Sequence, residues 1–261
     1  VAAIIVVMVV AVATGAIQVD WLSNIVTGVA LVAAIYLWAQ MYTSKLVTRE
    51  EKNRLLGFIP MFISGVLFFG IFQQQFTVMT IYSDVRLDRH LFGWEIPPSL
   101  VQSINPIFIV VFSAVFATMW TKLGDRQWST PVKFGVANIV IGISLFFFLP
   151  FSGAEANSTP MFVIVFILFL FTMAELLLSP VGNALATKVA PVAFPSRMMA
   201  VWMMAVAMGT SLAGSLASFY NPDDAGAENT FFISLGVVSI VLGAILLVLS
   251  RWVVKKFSTF R

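Results

Sequence analysis

The chain has 261 residues, of which 60% are apolar and 10% are charged, with a mean hydropathy of +0.98. Soluble domains carry roughly a quarter of charged residues, so this composition excludes a soluble globular enzyme, a disordered tail and a fibrous repeat. Cys is absent and His occurs once, at His90, which excludes a Cys/His metal site, a thiol nucleophile and a disulfide framework. The apolar runs are continuous rather than alternating, which argues against a transmembrane barrel and favours an all-α polytopic membrane protein.

Eight stretches are long and apolar enough to cross a bilayer core about 30 Å thick, which takes about 20 helical residues. In chain order they are 1–17, 21–43, 55–82, 98–121, 132–150, 160–189, 196–220 and 230–254. The first begins at Val1 inside an apolar run, with neither Met nor a basic region before it. This is not a signal peptide, and we interpret it as a span that is cut short.

The charged residues alternate between the two ends of these spans. Of the 15 basic residues, only Arg86 and Arg89 fall on one side, and the other 13 fall on the opposite side. The positive-inside rule therefore predicts a cytoplasmic amino terminus, a cytoplasmic linker at 45–54 and a cytoplasmic carboxyl terminus. Because the basic residues lie in short loops where topology requires them, the net charge of +3 does not indicate nucleic-acid binding.

The most strongly charged stretch between spans is KLVTREEKNR, at 45–54, which we interpret as a boundary. It separates two linker transmembrane helices, in residues 1–44, from six spans in residues 55–261. Six consecutive spans with both ends in the cytoplasm are typical of one half of a major facilitator transporter. The predicted fold is therefore a carboxyl-terminal six-helix bundle of that superfamily, preceded by two extra transmembrane helices.

Glu175 is the acidic or basic residue that lies deepest within a predicted span, after an apolar run from Met161 to Ala174. An ionised carboxylate there costs several kcal/mol unless a partner compensates it. We interpret Glu175 as facing a water-filled cavity, where it binds an ammonium group, carries a proton, or does both in alternation. The alternative is a carboxylate that holds a neighbouring helix through a fixed salt bridge or hydrogen bond.

Two further polar residues have open interpretations. Ser179 shares a helix face with Glu175, and Pro180 follows it. The proline indicates either a broken helix that lines a site or an ordinary kink with a back-bonded serine. Asn105, inside the fourth span, either hydrogen-bonds to another helix or contacts a ligand.

Three consecutive amides, Gln73, Gln74 and Gln75, interrupt the third span. They cannot all face one neighbour on a helix, so at least one of them should reach a cavity or a polar group of another helix. Trp202 lies in a Met-rich stretch, a pattern that by itself favours a packing residue or an interface anchor.

These segments together resemble the family of proton-dependent oligopeptide transporters. The resemblance lies in AELLLSPVGNALATKVAP at 174–191, SRMMAVWMM at 196–204, FFGIFQQQFTVMTIYSD at 68–84, SINPIFIVVFSAVFATMW at 103–120 and KLGDR at 122–126. It implies the carboxyl-terminal part of a cell-membrane symporter that imports di- and tripeptides by alternating access. The proton gradient drives such a transporter, which is not an enzyme and uses no cofactor or metal.

The resemblance also implies roles for individual residues. Glu175 would meet the amino terminus of the peptide and take part in proton coupling, with Ser179 beside it. Asn105 would contact the amino end or backbone of the peptide, and Trp202 would shape a side-chain pocket. Many members carry an acid near Gln73 and Gln74, so we expect a gate or cavity there that works by hydrogen bonds.

The implied partners are a di- or tripeptide, protons, the lipid bilayer and an amino-terminal six-helix half with an E-x-x-E-R-F motif, which this sequence does not contain. Nucleic acid is not among them. The alternatives are another major facilitator cargo, such as a drug or nitrate, or a non-transporting membrane fragment. Nitrate would call for an intramembrane Arg, which these spans lack. A membrane-embedded hydrolase would need a nucleophile with a base, or paired acids. The single acid deep within a span and the lack of a His in the spans argue against it.

Overall fold

A computed structural model describes residues 19–91 and 93–257 of the chain. Helices dominate this part, and the sheet within it is a two-stranded antiparallel hairpin. The elements are α1 (Val19–Thr43), α2 (Arg49–Phe72), a 3-10 turn (Gln73–Phe76), α3 (Val78–Val85), β1 (His90–Leu91), β2 (Trp94–Glu95), α4 (Pro98–Val101), α5 (Ile104–Leu123), a 3-10 turn (Gly124–Arg126), α6 (Thr130–Leu145), a 3-10 turn (Phe146–Phe151), α7 (Met161–Val189), α8 (Pro195–Ala217) and α9 (Ala225–Phe257).

In the described ranges, 7 helical segments are long and apolar enough to cross a membrane. They are Ser23–Thr43, Arg49–Val85, Pro98–Arg126, Thr130–Phe151, Met161–Val189, Pro195–Ala217 and Ala225–Phe257. These segments coincide with the second to the eighth predicted spans, which confirms the all-α membrane bundle. The first predicted span, 1–17, lies outside the described residues.

α2 begins inside the stretch that the sequence analysis assigned to a charged linker. The Thr48 hydroxyl accepts a hydrogen bond from the Glu51 backbone N–H at 3.3 Å, and the Glu51 carboxylate accepts one from the Thr48 N–H at 2.8 Å. This reciprocal capping box starts the helix, so residues 49–54 are helical and only residues 44–48 separate α1 from α2. Glu51 also accepts a hydrogen bond from the Val192 N–H at 2.8 Å, which ties this helix start to the loop between α7 and α8.

α1 lies against α8 and makes only a few contacts with α2. Two serines of α8 attach it: Ser211 donates to the Ser23 carbonyl at 2.6 Å, and Ser215 donates to the Asn24 side-chain oxygen at 2.9 Å. The division into two linker helices, a charged linker and a six-helix unit stays a prediction.

Glycines allow α6 and α9 to pack closely against each other. A methyl group at Gly142 would come within 2.7 Å of the Gly236 carbonyl oxygen, and one at Gly243 would come within 2.6 Å of the Gly135 carbonyl oxygen. These four positions therefore admit no side chain, and the two backbones touch directly. Contact through small residues is how transmembrane helices gain packing energy where lipid removes the hydrophobic driving force.

A buried ion pair closes the end of the bundle where α3 ends and α9 begins. Arg86 Nη2 lies 3.0 Å from Glu228 Oε2, and the two side chains are only 6% and 0% exposed. Glu228 also accepts hydrogen bonds from the Tyr220 hydroxyl at 2.8 Å and from the Gly153 N–H at 2.9 Å, while Arg86 donates to the Ala154 carbonyl. Burial raises the pKa of Tyr220, and the negative charge of Glu228 raises it further.

Candidate functional site

α7 carries a stripe of polar side chains through an otherwise apolar span. The stripe consists of Thr172, Glu175, Ser179 and Asn183. Spacings of three and four residues place these side chains along one face of the helix. The face borders both α5 and α8, because Thr172 bonds to Asn105 of α5 and Asn183 bonds to Trp202 of α8. The stripe therefore lies along the seam that these three helices share.

Glu175 lies half-buried in the middle of this stripe. Its Oε2 atom is buried and has no hydrogen-bond partner within the described part of the chain. The Asn105 side chain lies beside the carboxylate, and no Lys, Arg or His of residues 19–91 and 93–257 comes within salt-bridge distance of it. Because a buried carboxylate oxygen without a partner is costly, Glu175 is suited to bind a proton or a cation, and that role stays a prediction.

Ser179 adds a second polar atom with unused capacity. Its hydroxyl oxygen is buried and, within the described residues, has no hydrogen-bond partner. α7 continues without interruption through Pro180 to Val189, so of the two interpretations the structure favours a kink over a broken helix. The serine is not back-bonded either, which leaves its hydroxyl available one helical turn from Glu175.

Asn105 joins α5 to α7 at the level of the carboxylate. It is 3% exposed, and its Nδ2 donates to the Thr172 hydroxyl at 3.0 Å. Thr172 in turn donates to the Leu168 carbonyl at 2.8 Å within its own helix. The interhelical hydrogen bond is therefore observed, and it positions the amide next to Glu175. Direct contact of Asn105 with a substrate stays a prediction.

Trp202 lies in the core of the bundle and is 1% exposed. Its Nε1 donates to the Asn183 side-chain oxygen at 2.9 Å. A methyl group at Gly65 would come within 2.8 Å of the indole, and one at Gly182 would overlap it. The rings that surround it belong to Phe58, Phe69 and Phe134. This packing is the structural role that the Met-rich pattern favoured by itself. The predicted contact with a substrate side chain stays a prediction, and it requires the indole to leave this packing.

Gln73 begins the 3-10 turn that follows α2 and lies near the level of the polar stripe of α7. Phe72, which precedes it, packs its ring 6.1 Å from that of Phe171, one turn before Glu175. Gln73 Nε2 donates to the Thr210 hydroxyl at 3.0 Å, and its Oε1 is buried without a partner among the described residues. One acceptor thus stays available between the end of α2 and α8, and the gate or cavity role of Gln73 stays a prediction.

Gln74 and Gln75 differ from Gln73 in their bonding. Gln74 is 3% exposed, donates to the Gly70 and Ala213 carbonyls at 3.1 and 3.2 Å, and accepts from Thr77 at 2.9 Å. It therefore braces α2 against α8, and its predicted gate or cavity role stays a prediction. Gln75 is fully buried, and neither of its amide atoms has a partner within the described ranges.

Three partner residues were missed by the sequence analysis. Thr172 and Asn183 share the face of Glu175, so the three- and four-residue spacing could have identified them. Thr210 lies on another helix and carries no comparable signal, because its role depends on its hydrogen bond with Gln73.

The arrangement is suited to binding rather than to covalent chemistry. Glu175, Ser179 and Gln73 offer a carboxylate, a hydroxyl and an amide oxygen whose hydrogen-bonding capacity is unfilled. Glu175 and Ser179, one helical turn apart, are suited to a cation that donates several hydrogen bonds. Within residues 19–91 and 93–257, no group of three or more His, Cys, Asp or Glu is placed to hold a metal ion.

Apolar helices long enough to cross a membrane, packed around a seam that contains a partly buried carboxylate, are typical of polytopic transporters. The chain matches the POT family over residues 1–245, and it belongs to that family. The resemblance to the proton-dependent oligopeptide transporters, and with it the major facilitator fold, is confirmed.

Individual relatives and structures agree with this assignment. The chain is 36% identical over 93% of its length to the uncharacterized transporter YclF of Bacillus subtilis, and 35% identical over 91% of its length to a di-/tripeptide transporter of Lactococcus lactis subsp. cremoris. A crystal structure of a peptide transporter POT in complex with sulfate covers 98% of the chain with a TM-score of 0.86 and 31% identity. The chain spans about half the length of these proteins, with 49%, 48% and 52% of them covered.

Proposed function

We propose that this chain is the carboxyl-terminal part of a proton-coupled symporter that imports di- and tripeptides across the cell membrane. The observation that carries the proposal is the buried, unpaired carboxylate oxygen of Glu175, with Asn105 and Ser179 beside it. The α-ammonium group of a peptide is a cation with three N–H donors, which matches these acceptors. The similarity to a di-/tripeptide transporter of Lactococcus lactis supports the same cargo.

The proposed mechanism is alternating access. A proton, held on Glu175 or on a partner acid, moves inward together with the peptide, whose ammonium group meets Glu175. An amino-terminal six-helix half supplies the opposite wall and a cation for the peptide carboxylate. The two halves rock around the central site, and the proton gradient supplies the free energy. No covalent step and no cofactor is involved, so we propose a carrier rather than an enzyme.

We further propose that the carboxyl terminus and the linker at 45–54 face the cytoplasm. The support is the distribution of the 15 basic residues, of which only Arg86 and Arg89 lie at the opposite end. An excess of Lys and Arg in short loops is the signal that sets membrane orientation. Cysteine-labelling at Ser44 and at Glu155, in loops that this topology places on opposite sides, tests it: an impermeant reagent outside intact cells should label only position 155.

The test of function is uptake of a labelled dipeptide into proteoliposomes under an imposed proton gradient, with the transporter that contains this chain. Unlabelled di- and tripeptides should compete, whereas free amino acids and a hydrophobic dye should not. Glu175→Gln should remove the accumulation that depends on the gradient. The matched control is Glu155→Gln, which changes an exposed loop carboxylate. Undiminished accumulation with Glu175→Gln, or competition by the dye alone, would contradict the proposal.

A further inference from the structure

A cavity of about 380 Å³ lies between α5, α6 and α7, and its α7 wall runs from Leu176 to Lys188. Its polar lining includes Gln127, Lys133 and Lys188, and Phe116 and Trp120 lie beside them. Glu175 is not part of this lining, so the cavity is separate from the stripe that carries the proposed function.

Lys133 is a buried cation without a buried counter-ion. It is 7% exposed, its Nζ donates to the Gln127 side-chain oxygen at 2.8 Å, and the same atom lies 3.9 Å from the centre of the Trp120 ring. Within the described part of the chain, no carboxylate lies within salt-bridge distance of it. An amide and an aromatic face satisfy the geometry of an ammonium group but do not neutralise its charge.

Lys188 adds a second positive charge to the same cavity. It lies in the last turn of α7 and is close enough to Lys133 for the two ammonium charges to repel each other. It too lacks a carboxylate at salt-bridge distance in the ranges that the structure describes. An anion held between the two lysines would remove the repulsion and compensate both charges.

The remaining wall favours an anion that carries an apolar chain. Phe116, Leu176 and Val181 line the cavity beside the lysines. The Trp120 ring packs edge to face on that of Trp128, at a centroid distance of 6.3 Å. Trp and Lys at the end of a span are typical of the membrane–water interface, where phospholipid headgroups lie. A free inorganic anion would leave the apolar wall without a partner.

We propose that this cavity binds the headgroup of an anionic phospholipid. Lys133 and Lys188 contact the phosphate, and the wall formed by Phe116 and Leu176 receives the first carbons of an acyl chain. Basic pockets between transmembrane helices are suited to such headgroups. The inference goes beyond the transport function, because neither the peptide nor the proton uses this cavity.

Native mass spectrometry of the delipidated transporter that contains this chain tests the proposal. The probes are phosphatidylglycerol and phosphatidylcholine with identical acyl chains, and inorganic phosphate. Phosphatidylglycerol should bind in preference to phosphatidylcholine, and inorganic phosphate at the same concentration should not displace it. Lys133→Gln and Lys188→Gln should each weaken binding of phosphatidylglycerol about fivefold, and the double variant about 25-fold, as expected for the loss of one lysine–headgroup contact each.

The matched control is Lys255→Gln, which removes an exposed lysine from the last turn of α9 at the same end of the bundle. It should leave binding of phosphatidylglycerol unchanged. If Lys133→Gln fails to fold, the loss of phosphatidylglycerol binding in Lys188→Gln, which changes an exposed lysine, is sufficient to test the proposal. Equal loss in the control and in Lys188→Gln would overturn the proposal, as would equal binding of the two lipids. Displacement of the lipid by inorganic phosphate would show a site for the free anion instead.

Discussion

Glu228 and Glu175 are two carboxylates within one helical bundle, and they differ in how fully they are bonded. Glu228 is enclosed at the end of the bundle by the Arg86 guanidinium, the Tyr220 hydroxyl and a backbone N–H. Glu175 lies in mid-span, and its Oε2 has no partner in the described residues. A fully satisfied polar network fixes one packing, whereas an unsatisfied one keeps its capacity for something that arrives from outside. The comparison contrasts a structural carboxylate with one that we propose to be a binding carboxylate.

The largest effect expected from this comparison is on transport. Glu175→Gln should reduce proton-driven dipeptide accumulation to the level of empty liposomes, because the amide cannot take up a proton or pair with an ammonium group. Its stability should stay within about 1 kcal/mol of the parent, since glutamine keeps the shape of the side chain and can still bond to Asn105. Thermal unfolding in detergent, measured on the same preparations as the uptake, checks both statements. A variant that unfolds and therefore fails to transport would show that Glu175, like Glu228, is a structural carboxylate.

The next effect is on stability and involves the other carboxylate. Glu228→Gln should destabilise the bundle by about 3–5 kcal/mol, because the buried Arg86 charge loses its partner. Denaturant unfolding in detergent measures this loss. The double variant Arg86→Met with Glu228→Gln should be less destabilised than the single one, since no uncompensated charge is left. If the single and double variants unfold alike, the pair is not the source of the stability.

Tyr220→Phe gives a smaller change with a distinct pH dependence. Loss of the hydrogen bond to Glu228 should cost about 1.5–3 kcal/mol. Because the pKa of Tyr220 is raised in the folded protein, its neutral form is favoured there. The stabilisation that the neutral hydroxyl contributes is complete below about pH 10, the pKa of a free tyrosine. It is lost as the pH rises further. Unfolding measured from about pH 8 to pH 11 should therefore show a steeper alkaline loss in the parent than in the variant. Parallel curves would contradict the assignment.

Ser179→Ala should produce the smallest change. The hydroxyl makes no described hydrogen bond, so stability should stay within about 0.5 kcal/mol of the parent. If the hydroxyl meets the peptide, the KM for dipeptide uptake should rise about fivefold, as expected for one lost hydrogen bond. Ser113→Ala, in the exposed part of α5, is the matched control and should leave KM unchanged. An unaltered KM in Ser179→Ala would remove this serine from the site.

The sequence predicts the spans well because hydropathy over about 20 residues is a strong signal. The predicted segment 132–150 corresponds to the observed Thr130–Phe151, and 160–189 to Met161–Val189. The position of Glu175 deep within a span could be predicted equally well, since a carboxylate there contrasts with the apolar residues around it.

Contacts between residues that are distant in the sequence could not be predicted in the same way. Charge placement assigned Arg86 to one side of the membrane but did not indicate its partner, Glu228, which it meets across 142 residues of chain. Helical periodicity states which face a residue occupies but not which neighbour that face meets. For the same reason it did not predict that Gln74 is a brace while Gln73 keeps a free acceptor.

The glycine contacts between α6 and α9 have a consequence for motion. At Gly135, Gly142, Gly236 and Gly243 the two backbones lie in contact, and neighbouring side chains, among them Ile240 and Leu247, pack closely against the glycines. α6 and α9 should therefore move as one rigid unit whenever the bundle changes shape. The deformation must then occur between helices joined by larger side chains, such as α7 and α8 around Trp202.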